Sequence, residues 1–404
     1  MRRILVITAS ALLFLAACTA PVKGWPEPLN TLTVSLLYPD GAGNGAGGEI
    51  GIENVSSKDS YRVPVLGGKA VATLPNGIYR ISFHERSGGD IFNGSADNIV
   101  LAGSDKFVEI SLVHSKAGGL VIKELYVGGC SKEPEEGTYQ SDQYVLLHNN
   151  DEETVWLDSL CFGTLSPYNS TSQNNWIARD PGTGGILYPD FAPVVTVVWK
   201  FPGNGRSYPL APGEDAVICL RGAIDHAARY PNSVNLNRPD CFVCYNPTYF
   251  PNTTYHPAPG DRIRQDHILE VAVKTGQTNA NTVSISSPTF VIFKARGVTV
   301  EEHIAVPDNI LVTPGNAADV VVRVPYGWML DGIEVFDGRS GNNNKRLSPT
   351  IDAGFVTQSE PFKGHSLRRH TDENASREKG YEVLMDTNNS SQDFYESERQ
   401  SLHS

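Results

Sequence analysis

The chain of 404 residues reads as an all-β protein built from two β-sandwich domains, the second with long loop insertions. Three observations predict this. The 38 glycines and 26 prolines, against only 3 methionines, describe a turn-rich chain. Apolar residues recur in short alternating runs rich in β-branched and aromatic side chains, of which LTVSLLY at 32–38 is the first in the body. A glycine-bearing break, Lys116-Ala117-Gly118-Gly119, separates two series of such runs. The ~385 residues beyond the leader allow two or three domains.

The leader sets the compartment. Arg2 and Arg3 precede an apolar run from Ile4 to Leu15, too short for the about 17–25 apolar residues of a membrane span. Leu15-Ala16-Ala17-Cys18 follows and resembles the bacterial lipobox. The resemblance implies a signal peptide over 1–17, cleavage before Cys18 and acylation of that cysteine. A durable anchor follows, because each buried methylene adds about 0.8 kcal/mol. Residues 18–30 hold three prolines and read as the lipidated tether. Losing the leader removes two arginines and no acids, so 31 basic residues face 45 acidic ones, a net charge of −14. That balance excludes nucleic acid as a partner, since phosphate binding needs a basic surface.

The first domain is expected over 31–116. Its glycine-rich segment, DGAGNGAGGE at 40–49, lacks the lysine of a phosphate-binding P-loop and reads as a hairpin loop. Leu74-Pro75-Asn76-Gly77-Ile78-Tyr79 is a turn, and Tyr79-Arg80-Ile81-Ser82-Phe83 an alternating strand. This order resembles the carboxypeptidase-regulatory-like, prealbumin-like sandwiches, which are about the size of an immunoglobulin-like domain. The resemblance implies an accessory domain without catalysis.

The second domain is expected over 117–394. Strands are read at 120–126, 143–148, 154–162, 194–201, 215–220, 289–294, 310–312, 320–325, 332–336 and 366–369, and a weak helix at 223–230. Residues 143–148 and 154–162 read as a hairpin across Asn149-Asn150-Asp151-Glu152-Glu153. Its core candidates are Val145, Leu147, Val155, Leu157 and Leu160. The charged tail, 395–404, is expected to be disordered. LVIKELYVGG, DQYVLLHNNDEETVWLDSLCFG, the PGEDAVICL stretch and GHSLRR follow the order of a lamin-tail-like sandwich, with large insertions. One departure is Leu146-Leu147-His148, which stands where that family carries a carboxylate. As a whole the chain is similar to an uncharacterised, domain-of-unknown-function family of envelope lipoproteins from Bacteroides-type bacteria. That resemblance carries architecture and no activity.

Each candidate for chemistry also has a structural reading. Asp151, Glu152 and Glu153 are consecutive, so alternate side chains diverge on an extended backbone, and a solvated turn is expected. Cys241-Phe242-Val243-Cys244 is a CxxC, but His256 and His267 lie too far apart for a finger-type zinc site. Cys130, Cys161, Cys219, Cys241 and Cys244 are read as structural, either disulfide-bonded or buried as thiols. Asp225-His226 has no G-x-S-x-G elbow beside it. The segment CFVCYNPTYFPNTTYHPAPG is rigidified by four prolines, and Tyr245, Tyr249, Phe250, Tyr255 and His256 make it the candidate binding surface.

The expected protein is therefore a non-catalytic lipoprotein of the cell envelope, held at the outer membrane by its lipid. It would act as a binding or assembly module, with an outer-membrane transporter or other envelope protein as partner. The alternative is a surface glycan- or matrix-binding protein. No enzyme activity, metal or cofactor is expected.

Overall fold

A computed structural model describes residues 29–39, 47–87, 90–116, 118–171, 174–179, 181, 186–276 and 278–403. The leader, Cys18 and nearly all of the tether lie outside them. The described chain is all-β, in two sandwich-type bodies.

In the first body, the sheet Lys69–Leu74, Asn30–Leu37, Lys106–Ser111 faces a five-stranded one. The latter runs Ser60–Pro64, Glu49–Asn54, Gly77–Ser87, Asp90–Leu101, Val113–Lys116. Strict alternation builds the core. Asn30–Leu37 and Lys69–Leu74 bury every second residue. Leu32, Val34, Ile50, Ile52, Tyr79, Ile81 and Phe83 meet between the sheets.

The second body has larger sheets. One runs Cys241–Val243, Asp215–Cys219, Tyr144–Asn149, Leu120–Tyr126, Ser366–Arg369, Phe394–Ser397. The other runs Ile310–Thr313, Asn316–Pro325, Phe191–Lys200, Cys161–Leu165, Thr289–Phe293, Met329–Asp337, Val356–Gln358, with Glu270–Lys274 also pairing to Phe191–Lys200. Leu147, Ile218, Phe162, Trp199, Phe290 and Val335 form the core between them. Both outer faces are covered too. Val194, Val198, Val322 and Trp328 pack outside the larger sheet. Tyr126, Tyr144, Val217 and Val234 pack outside the smaller one. Tyr144–Asn149 is consequently buried at all six positions, the pattern of a strand covered on both faces.

The acidic stretch is not the turn of a hairpin. Tyr144–Asn149 pairs with Leu120–Tyr126 and Asp215–Cys219, whereas Cys161–Leu165 belongs to the other sheet. Residues 150–160 carry the chain across the sandwich. Asn149 Nδ2 donates to the carbonyls of Glu153 and Leu210, both at 2.8 Å. Asn150 exchanges two hydrogen bonds with the Leu384 backbone. The expected strand 154–162 is broken at 157–160, where Ser159 is left-handed at φ 59°. Beside it, buried Asp158 collects the N–H groups of Gly205, Ser207 and Tyr208 at 2.8–3.0 Å. Burial opposes ionisation of Asp158, but those N–H groups hold its carboxyl down to about 2. Leu157 and Leu160 reach the core, as do Val145 and Leu147.

Two further expectations are corrected. Residues 223–230 form successive turns rather than a helix, because His226 is pinned on both sides, by Tyr139 Oη at 2.7 Å and the Gly222 carbonyl at 2.8 Å. Real helices occur at Val300–Ile304, behind a Thr299/Glu302 capping box, and at Glu373–Lys379, capped by Asp372. The tail is ordered through His403. Phe394–Ser397 extends the six-stranded sheet. Ser401 then donates from N and Oγ to Glu124, a carboxylate only 1% exposed. Truncation after Ser397 would strip Glu124 of these donors. We predict a loss of about 1–3 kcal/mol, the cost of an unsatisfied buried acceptor. It would be measured by denaturant unfolding against the full chain. Unchanged stability would contradict the docking.

Candidate functional site

The loop at 241–260 folds onto its own body. Phe250 is 1% exposed and lies 5.7 Å from the Trp199 ring. Phe242 stacks on His267 at 4.2 Å. His256 is buried, accepts the Asn281 N–H at 2.9 Å, and is pushed by burial down to about 4, so it is neutral near pH 7. Tyr255 lies under the Arg221 guanidinium, and Tyr245 packs beside the outer cluster. Only Tyr249, at 46% exposure, remains openly displayed. The expected aromatic surface is thus a plug over the sandwich edge, with Phe250 and His256 as interior residues.

The five cysteines among the described residues, Cys130, Cys161, Cys219, Cys241 and Cys244, are buried free thiols. Cys241 packs in the outer cluster with Cys219, while Cys244 enters the inter-sheet core. The CxxC therefore straddles a sheet and cannot close on one ion. Burial pushes the thiols of Cys130 and Cys161 up to about 12, and those of Cys219 and Cys244 well upward. Among the described residues no group of three His, Cys, Asp or Glu side chains is placed to hold a metal. Asp225 is exposed and caps Ala228, whereas His226 is turned inward.

The geometry that does converge lies where the two bodies meet. Alternation in the first body turns Tyr79, Ile81 and Phe83 inward and leaves Arg80 and Ser82 on the opposite face. Register then places Glu53 opposite Arg80. Arg80 Nε donates to Asp97 at 2.5 Å, and Nη1 lies 3.9 Å from Glu53. The same guanidinium sits 4.6 Å over Phe355 and 5.5 Å from Phe336, two rings stacked at 4.0 Å in the second body. Around this contact opens a cavity of about 200 Å³. Tyr61, Arg62, Ser82 and Ser95 line one wall, Lys345, Phe355, Ser391 and Gln392 the other. Further along the same joint, Asn93 Nδ2 donates to the Thr387 carbonyl at 2.5 Å, and Gly118 N donates to Asp386 at 2.5 Å.

Buried charge stiffens the second body's side of this joint. Lys345 Nζ binds Glu334 at 3.0 Å and the carbonyls of Asp352 and Gly354. Glu334 also accepts the N–H groups of Arg346 and Leu347. Asp352 accepts from Ser390 N and Oγ. Gly354 leaves no room for a Cβ against Asn389 and Ser391. Nearby, Arg369 reaches Asp331 at 2.5 Å, Asp393 at 3.2 Å and Asp386 at 3.5 Å. Three carboxylates thus share one guanidinium, all at most 5% exposed.

With that geometry established, comparison with known proteins adds a family. Residues 211–401 match the family described as Protein of unknown function (DUF4876). The expectation of an uncharacterised family holds. Among solved structures, a DUF4876 family protein from Bacteroides thetaiotaomicron is similar at TM-score 0.56 and 22% identity, covering 91% of this chain and 94% of that one. That likeness shows the fold. A DUF3823 family protein from Parabacteroides merdae matches at TM-score 0.18 and 14% identity, over 44% of this chain and 83% of that one. A streptococcal ancillary pilin matches at TM-score 0.17 and 12% identity, over 47% and 53%. Neither score supports an argument. No curated protein matches the sequence.

Two predictions follow from these placements. Phe250→Ala should cost about 3–5 kcal/mol, the range for an emptied buried ring. Tyr249→Ala should stay within about 0.5 kcal/mol. Equal effects in denaturant unfolding would contradict the plug. The second concerns pH. Burial drives Asp331 and Asp352 up to about 6 and Asp393 up to about 7, against the pull of Arg369 or Lys345. These values exceed the unfolded carboxyl's, about 3.9. These three sites therefore bind more protons in the folded chain between those limits. Their contribution is complete below about pH 4 and is lost as pH rises through 6 to 7. Asp158 has the opposite sign and loses its contribution only toward pH 2. Histidines that burial holds below their usual value, His256 among them, act in the opposite sense over the same range. The test is therefore differential: Asp393→Asn should lower the melting temperature at pH 5 relative to pH 8, compared with the native chain, and an unchanged difference would contradict this assignment.

Proposed function

We propose that this chain is a non-catalytic lipoprotein of the cell envelope that acts as a binding or assembly module. Acylated Cys18 anchors it to the outer membrane, and the joint between the two β-bodies receives its partner. The partner of this reading is an integral envelope protein such as an outer-membrane transporter.

The observation that carries the reading is the two-walled cavity around Arg80. It is formed only when both bodies are in place, and its walls mix rings, hydroxyls and charge, as recognition sites do. The lipobox-like leader supports the anchor. Among the described residues no helix is long and apolar enough to cross a membrane. A glycan- or matrix-binding role is the second reading, favoured by a tyrosine-lined groove in the second body.

Two measurements test the proposal. Metabolic labelling with a fatty acid should mark the native chain, and Cys18→Ala should lose the label and leave the membrane fraction. Capture from native membranes should recover a reproducible partner, and Arg80→Ala should weaken that capture at least tenfold while the chain stays folded. An unlabelled native chain would end the anchor reading. Recovery of the chain alone would end the assembly reading.

A further inference from the structure

We propose that a groove in the second body is a binding site for oligosaccharides bearing a carboxylate, with Arg296 taking the acid and Tyr188 and Tyr326 the sugar faces. This rests on the glycan-binding reading above and is independent of the lipid anchor. The groove has a volume of about 700 Å³, within the ~300–1,000 Å³ of small-molecule sites.

Its charge pattern selects the ligand class. Asp190 on the rim is already held by Arg323, with both carboxylate oxygens at 3.0 Å. Asp331 in the wall is tied to Arg369 at 2.5 Å. Arg296 lines the groove, is exposed, and has no ion-pair or hydrogen-bond partner among the described residues. It is thus the charge that the protein leaves open, and a guanidinium matches a carboxylate in a two-point contact.

The uncharged part of the wall fits a sugar. Tyrosine rings offer flat apolar faces to the C–H side of a pyranose. Ser348, Thr350 and Asn388 supply hydroxyl and amide groups around them. The Tyr326 hydroxyl is shielded from solvent against the Ser348 backbone, so this residue offers the groove its ring and not its hydroxyl. An extended peptide is the poorer fit. It would need unpaired strand backbone, whereas Met329 and Asp331 already pair with Thr289–Phe293.

The test is isothermal titration of the purified full-length chain with trigalacturonate, and with neutral galactotriose and a peptide ending in a free carboxylate as controls. Oligosaccharides carrying glucuronate or N-acetylneuraminate extend the acidic set. Saturable binding of an acidic sugar, at least tenfold tighter than galactotriose, is expected. Arg296→Gln should weaken it at least tenfold with an unchanged circular dichroism spectrum, whereas Tyr326→Phe, which keeps the ring, should leave it unchanged. Binding by none of the three acidic sugars, binding indifferent to Arg296→Gln, or binding of the peptide alone would overturn the proposal. Because this assay needs neither lipid nor membrane, its failure is distinct from a failure of anchoring or partner capture.

Discussion

Arg369 is the residue on which the second body and its junction depend. Its side chain is 1% exposed, and its guanidinium lies 4.5 Å over the Phe394 ring and donates to the carbonyls of Ile122 and Met385. It also faces Asp331, Asp386 and Asp393, which arrive from a strand of the larger sheet, a loop and the one-turn helix Ser390–Asp393. Asp386 in turn accepts the N–H of Gly118, in the link between the bodies. A buried cation with three buried acids is no cheap source of stability, because desolvation opposes it. Its value here is positional, since the acids find compensation only when all four segments are in place. Loss of the guanidinium would leave uncompensated buried charge at the point where the chain passes from one body to the next.

The double burial of both large sheets is the second constraint. A sheet open on one face advertises itself by alternation, and the first body does so in Asn30–Leu37 and Lys69–Leu74. The first of these was legible in the sequence, as LTVSLLY at 32–38. So was Ser366–Arg369 in the second body, and Thr289–Phe293 to within one residue, because short β-branched and aromatic runs are bounded there by turn residues. What periodicity could not convey was pairing. Residues 144–149 and 161–165 are near in sequence, and a hairpin was the natural reading. Asn149, Asn150 and Asp158 send the chain across the sandwich through side chain–backbone hydrogen bonds, and such bonds leave no trace in a hydropathy pattern. The tail misled for a similar reason. Its charges suggest solvent, yet the partner of Ser401 is a buried carboxylate 277 residues away.

The candidate sites were legible in smaller part. Prolines and aromatics at 241–260 truly mark a rigid loop, but composition cannot say which way a ring faces, and Phe250 and His256 face in. Arg80 drew attention only as one residue of an alternating strand. Its role comes from two rings more than 250 positions away, Phe336 and Phe355. Arg296 carries no motif at all. It stands out only after every neighbouring charge in the groove has been assigned a partner.

These features describe a joint that is built rather than a flexible link between independent modules. Cation–ring contact at Arg80, the Asn93 bond to Thr387 and the Gly118 bond to Asp386 fix the two bodies at three points along one seam. The most direct test is a pulsed dipolar distance measurement between spin labels on Val71→Cys and Val312→Cys. Both positions are more than half exposed, and the native thiols described here are buried from the label. A fixed joint predicts a single narrow distance distribution that broadens when Arg80 and Asn93 are both replaced by Ala. A broad or multi-peaked distribution in the native chain would contradict it.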